Sequence, residues 1–254
     1  MHEAQMHEQS CFITLTYNDE NLPDRSSLVT SHVRNFMKYL RKYYAPKKIR
    51  FLLAGEYGNA VGHRPHYHAL LFGHEFQDKI LYDENEGILT YTSAVLENLW
   101  GKGFCTIGDL TFESAAYVAR YCLKKIKASD KSPDQYLSHY ETVCPYTGEI
   151  HTIQPEFARM SNRPGIGLEW YEKYHSDIFP HDTCVYKGRT IPSPRYYEKK
   201  LKEKNLLMYD QVKEKRLAKA RLYEHDNTPE RLRVKETVKI ASMQNIYRKL
   251  HNET

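Results

Sequence analysis

Two imidazoles stand one residue apart in HRPHYHALLFG (residues 63–73), a stretch whose apolar run reads as a strand entering a core. Side chains alternate between the two faces of a strand, so His66, His68, Leu70 and Phe72 share one face and Tyr67, Ala69 and Leu71 the other. Two imidazoles and a carboxylate on one face can hold a divalent cation and still leave positions open for substrate oxygens. The carboxylate best placed to join them is Glu56 in IRFLLAGEYG (49–58), whose strand should pair with the histidine strand; Glu75, just beyond the histidine strand, is the second choice. The plain alternative is a strand mouth carrying two solvated histidines.

A second reactive group lies in ESAAYVARYCLKKIKA (113–128), a helical pattern. With Tyr117 at zero and about 100° per residue, Tyr121 falls near 40° and Lys124 near −20°, a narrow stripe. Ala115, Ala119, Cys122, Leu123 and Ile126 fall between about 140° and 240°, the expected core side. A phenol of ordinary pKa, about 10, needs a nearby cation before it can attack. An ammonium can steady the phenolate or protonate a leaving oxygen. Set across from a Lewis acid, the stripe implies tyrosine attack on a phosphodiester. The resulting phosphotyrosine ester keeps the energy of the broken bond, so rejoining needs no nucleotide hydrolysis. An ordinary amphipathic helix showing Tyr and Lys to water would give the same stripe.

The elements that must position these groups are readable. CFITLTY (11–17) is a strand, and SLVTSHVRNFMKYLRKYY (27–44) a helix burying Val33, Phe36, Met37, Leu40 and Tyr44, with Thr30 or Ser31 as its cap. SAVLENLWGKG (93–103) is a short helix stopped by Gly101, and FCTIGDL (104–110) a fourth strand. The order β-α-β-β-α-β-α predicts an α+β, ferredoxin-like or RRM-like core around a central antiparallel sheet. Residues 1–130 are expected to form that core and 131–195 a proline-rich, loop-rich segment packed on it. Residues 196–254 should form a basic, mostly helical extension, interrupted near DNTPE.

Charge follows the same division. From Lys187 onward there are 18 Lys+Arg against 9 Asp+Glu, a net +9, which leaves −4 on the first 186 residues. A basic extension on an acidic body suits a polyanionic partner. The 21 Tyr are compatible with stacking on bases. Five cysteines with no CxxC pair, no apolar leader and no run approaching 18 apolar residues predict a soluble, cytoplasmic chain without structural zinc or membrane contact.

CFITLTY, RPHYHALLFG and YVARYCLKK stand in the order of the three motifs of HUH endonucleases, and the chain resembles that family. The two-tyrosine form, together with RMSNRPGIG, is similar to the replication initiators of microviruses, the small single-stranded DNA phages, of the gokushovirus type; the likeness covers roughly residues 1–175. The resemblance implies a rolling-circle initiator that nicks viral origin DNA, stays on the 5′ phosphate and later rejoins the displaced single strand. It implies His66 and His68 as ligands of Mg²⁺ or Mn²⁺, Tyr117 and Tyr121 as nucleophiles, and Lys124 as their cation. The chain departs from relatives in carrying Tyr67 between the histidines and in starting at MHEAQ, where such relatives often begin with a Cys-rich basic segment. No G-x-x-x-x-G-K-[ST] is present, so a host helicase and a host polymerase are the expected partners in the bacterial cytoplasm. A His-x-His transposase or relaxase would usually carry one working Tyr or another histidine arrangement, and a non-catalytic nucleic-acid module has no use for the tyrosine stripe. A histidine-triad hydrolase needs a third His at 70, which is Leu.

Overall fold

The computed structural model of this chain describes residues 1–58, 64–85, 87–124, 140–143 and 146–252, and at 121–124, 142 and 244–252 the backbone alone. It contains two compact units, Met1–Gly167 and Leu168–Thr254.

The first unit is α+β. β1 (Ser10–Leu15) is the central strand, and it pairs antiparallel with β3 (Pro65–Phe72) on one side and β6 (Cys105–Asp109) on the other. β2 (Arg50–Tyr57) lies beyond β3, and the β4–β5 hairpin (Ile80–Asn85, Ile88–Thr92) beyond β6. β9 (Phe157–Met160) closes the other edge, giving seven antiparallel strands in the order β4-β5-β6-β1-β3-β2-β9. Two elements were not expected from the sequence: the hairpin, and β9 within the segment read as loop-rich.

Strand alternation divides the core between two faces. Cys11, Ile13 and Leu15 of β1, with Leu53, Tyr67, Ala69, Leu71 and Ile107, pack under α1 (Thr30–Tyr43) and α2 (Ala94–Trp100), which contribute Val33, Phe36, Met37, Leu40, Leu96 and Trp100. Phe12, Leu52, Ala54, Leu70 and Phe72 face α3 (Phe112–Lys124) on the other side. Each fully buried Leu or Ile contributes about 1.5–3 kcal/mol, so helices on both faces explain why β3 is apolar nearly throughout.

Tyr67 departs from this by being polar-tipped, and its hydroxyl is used. It accepts from the Val29 amide at 2.8 Å and shares a hydrogen bond with the Tyr17 hydroxyl at 2.9 Å. Thr30 is therefore the first helical residue rather than the cap: Val29 holds the cap position without a side-chain bond, and the Tyr67 hydroxyl serves its amide. α2 follows expectation, with Ser93 accepting from Leu96 N at 3.0 Å and Gly101 stopping it at φ +61°.

RMSNRPGIG is tied to the N-terminus. Buried Glu3 pairs with Arg50 and accepts from the Gly167 amide at 2.6 Å, while Arg50 donates to the carbonyls of Pro164 and Gly165 at 3.0 Å each. Burial works to raise the Glu3 carboxyl, but the bonds from Gly167, His7 and Arg50 hold it below its usual range. Glu3→Ala strands the half-buried Arg50 guanidinium and is expected to cost about 3 kcal/mol, read as a lower denaturant midpoint at unchanged slope.

His74 is fully buried against Tyr44 and Phe76, with ring centroids 4.2 and 4.6 Å away, and neither ring nitrogen has a partner among the described residues. Burial, helped by Lys47, pushes its pKa from 6.5 down to about 4. Between those pH values the unfolded chain holds a proton that the folded chain refuses, so stability falls as pH drops through this window, by about 3 kcal/mol in all. His74→Phe is expected to flatten that part of the stability–pH curve in denaturant titrations.

In the second unit, the long apolar and aromatic side chains gather around α4 (Leu168–Tyr174) and α5 (Arg195–Lys204): the Trp170 and Tyr197 rings stack at 5.9 Å, and Tyr171 and Leu201 are buried. α6 (Leu206–Leu222) carries Arg216, which bridges Asp182 and Glu198. The helix restarts at Pro229, as the DNTPE break predicts, to give α7 (Pro229–Asn252). No helix among the described residues is long and apolar enough to cross a membrane.

Candidate active site

The β2–β3 register places Glu56 directly opposite His66 and Ala54 opposite His68, so the carboxylate and both imidazoles share one face. Glu56 Oε1 lies 2.7 Å from His66 Nε2 and 3.0 Å from His68 Nε2. The three potential ligand atoms all fall within 4.8 Å of one another. Glu56 is 2% exposed, while the His66 side chain, at 19%, marks the open side. Glu75 lies past the far end of β3, paired with Lys79 at 3.1 Å, and takes no part.

Both rings are oriented through their other nitrogen. His66 Nδ1 donates to the Arg64 carbonyl at 3.1 Å, and His68 Nδ1 bonds the Thr14 hydroxyl at 3.0 Å. Phe12 stacks on His68 at 5.5 Å and 12°. A neutral His66 that spends its only proton on Arg64 aims a lone pair at the Glu56 carboxylate, a repulsive contact unless a cation lies between them. Burial raises the Glu56 carboxyl, but its bonds to His66 and His68 prevail and hold it at about 2, so the centre carries a fixed negative charge. Two Nε2 atoms and a carboxylate oxygen, converging and held by outer partners, form a donor set suited to a divalent cation.

α3 runs over this same face. Thr111 and Ser114 cap it reciprocally: Ser114 N donates to Thr111 Oγ1 at 3.1 Å and Thr111 N to Ser114 Oγ at 2.8 Å. Five residues after its start, the Tyr117 ring meets His68 edge-on, 5.1 Å between centroids at 81°, and also contacts Phe12 at 6.4 Å. Val118 is fully buried, and Ala115 packs beside it.

The phase of the helix differs from the sequence reading. Ala119, expected on the core side, is exposed, and the sheet-facing arc runs from Tyr117 through Val118 to Ala115. A single methyl at Ala119 gains less by burial than the Val118 and Tyr117 side chains, so the larger groups set the rotation. Tyr121 and Lys124 lie farther along α3; their side chains, like those of Cys122 and Leu123 and all of Ile126, fall outside the described residues. Sequence reasoning missed Thr14 and Phe12. The alternation of FITLT carried the signal, but it becomes legible only once β1 is paired with β3, Thr14 opposite His68.

The family model for the replication-associated protein ORF2 matches residues 10–126, a span that runs from β1 past the end of α3 and contains every residue of this site. The chain is 32% identical over 231 residues, 85% of its length, to replication-associated protein VP4 of Bdellovibrio phage phiMH2K. It belongs to the replication-associated protein family. Replication-associated protein ORF2 of Spiroplasma virus 4 is 33% identical over 229 residues, 84% of the chain, and ORF4 of Chlamydia phage 1 is 29% identical over 210 residues, 79% of the chain. The matches span 65% of the Spiroplasma virus protein, 67% of the Bdellovibrio phage protein and 48% of the Chlamydia phage protein, so the chain covers about two thirds or less of these relatives. Membership of this family agrees with the resemblance carried by CFITLTY, RPHYHALLFG and YVARYCLKK. No solved structure matches the chain.

Proposed function

We propose that the chain is a rolling-circle replication initiator: a metal-dependent tyrosine endonuclease that nicks one strand at a viral origin through a covalent 5′-phosphotyrosine and later rejoins the displaced strand. The observation that carries the reading is the placement of the Tyr117 ring against His68, on the face where Glu56, His66 and His68 converge.

Glu56, His66 and His68 hold the divalent cation, Mg²⁺ or Mn²⁺, which when bound supplies Lewis-acid polarisation of the phosphate oxygens. The Tyr117 phenolate oxygen attacks phosphorus, the bond from phosphorus to the 3′ oxygen breaks, and Lys124 gives that oxygen a proton. The products are a tyrosine ester on the 5′ side and a free 3′ hydroxyl, which a host polymerase extends while a host helicase unwinds ahead. Tyr121, one turn along α3 and about 6 Å away, cuts the regenerated origin while Tyr117 is esterified; the new 3′ hydroxyl then resolves the first ester and closes the circle. The setting for this chemistry is the cytoplasm of the bacterial host.

The test uses the purified chain and single-stranded oligonucleotides tiling the cognate phage genome, with Mn²⁺ or EDTA. One oligonucleotide is expected to give a denaturant-resistant protein–DNA band with Mn²⁺ and none with EDTA. Cutting that releases both ends free of protein, or that persists in EDTA, refutes the reading.

A further inference from the structure

We propose that the cleft between α1 and the β2–β9 edge of the sheet is a second track for single-stranded DNA. The cleft encloses about 830 Å³ and lies on the face opposite the histidine cluster, since Arg159 pairs with Leu53, whose side chain points under α1. The inference rests on the reading that the chain handles single-stranded DNA, and adds to it a place for strand that is not being cut.

Four cations line the cleft, Arg34, Lys38 and Arg41 from α1 and Arg159 from β9, and among the described residues no Asp or Glu does. They are gathered on a part of the chain whose net charge is −4, so the cleft is a local reversal of sign. Arg34, Lys38 and Arg159 are exposed and form no ion pair among the described residues. Arg34 and Lys38 are one helical turn apart, with Arg41 about another turn on, which sets positive charge at intervals of about 5–6 Å along one wall.

Arg41 has a different part. It donates from Nε and Nη2 to the Ile49 carbonyl at 3.0 and 2.8 Å, and its guanidinium lies over the Phe51 ring, 5.2 Å from the centroid. A guanidinium pinned flat in this way offers its outer plane to a base. Beside it, Met37 and Phe51 give an apolar floor. Cations in a row along a wall, over a floor that accepts a π-face, suit a strand with its phosphates outward and its bases turned in. An acidic peptide would use the cations but leave the stacking plane idle, and a duplex keeps its base faces covered.

The test measures binding of a labelled oligo(dT) of about 16 nucleotides to the full chain in EDTA, across a salt series. The variant Arg34→Ala/Lys38→Ala/Arg159→Ala leaves Arg41 in place, because Arg41 also holds the Ile49 carbonyl. Its affinity at low salt is expected to fall at least about tenfold, and the slope of log affinity against log salt by about 2, close to 0.7 for each lost cation. Arg34→Lys/Arg159→Lys should keep the wild-type slope. An unchanged slope and affinity in the triple variant overturns the proposal, as does displacement of the oligonucleotide by poly-glutamate as readily as by unlabelled oligo(dT). Cutting and metal do not enter this measurement. Loss of the covalent adduct therefore counts against the endonuclease alone, and an unchanged salt slope against the cleft alone.

Discussion

A chain carrying Tyr117→Phe and Tyr121→Phe together forms no covalent adduct, and its yield of nicked strand falls by on the order of 10⁴-fold or more, while its affinity for the same oligonucleotide stays within a few-fold of wild type. The expectation follows from what each change removes. Phenylalanine keeps the edge-on contact with His68 and the packing on Phe12, so α3 stays seated on the sheet. What is lost is the only atom that attacks phosphorus. Each single variant should still give adduct, because the other phenol remains within about one helical turn. Circle closure is another matter. It needs one tyrosine esterified while the other cuts, so both single variants should nick and neither should close circles. Gel separation of adduct, linear and circular products distinguishes the cases; adduct at wild-type yield in the double variant would remove tyrosine from the mechanism.

His68→Ala is expected to reduce nicking by on the order of 10³-fold, with Glu56→Gln close behind, and neither loss should be recovered by more DNA. His68 contributes in three ways. Its Nε2 faces Glu56, its Nδ1 is fixed by Thr14, and its ring carries the contacts of Phe12 and Tyr117. Glu56→Gln is the more selective change: it preserves shape but removes the fixed negative charge that both imidazoles turn toward. It also leaves one ring facing an amide, at an expected stability cost of about 1–3 kcal/mol. Raising Mn²⁺ should restore part of the Glu56→Gln activity and much less of the His68→Ala activity, since the first weakens affinity and the second also disturbs the ring beneath the nucleophile. Equal and complete rescue of both would reduce His68 to a ligand with no positioning role.

The parts of the fold that are legible in the sequence are those whose periodicity is local. β1, α1, β2, β3, α2, β6 and α3 each carry their own alternation or helical spacing, and the pairing of β2 with β3 follows from a short glycine-containing connection. That pairing also makes Glu56 a better candidate than Glu75 on the sequence alone. Elements that depend on distant partners are not legible. β9 is four residues long and is a strand only because β2, about a hundred residues earlier, accepts it. β4 exposes Ile80, Leu81 and Tyr82, so no burial pattern announces it. The clamp of Glu3 on Arg50 and Gly167 spans nearly the whole first unit, and nothing near Glu3 in the chain points to it. The rotation of α3 escapes the sequence for a related reason: a sequence gives the spacing of its apolar residues, but the sheet beneath decides which of them are large enough to set the seat.

The most direct test of the central claim, that Glu56, His66 and His68 hold a divalent cation for the tyrosine, is a calorimetric titration of the metal-stripped full chain with Mn²⁺. One Mn²⁺ should bind per chain, with affinity lowered about 100-fold or more in His68→Ala and unchanged in Tyr117→Phe. Binding as tight in His68→Ala as in the wild type, or the absence of any bound Mn²⁺ in the wild type, would contradict the account.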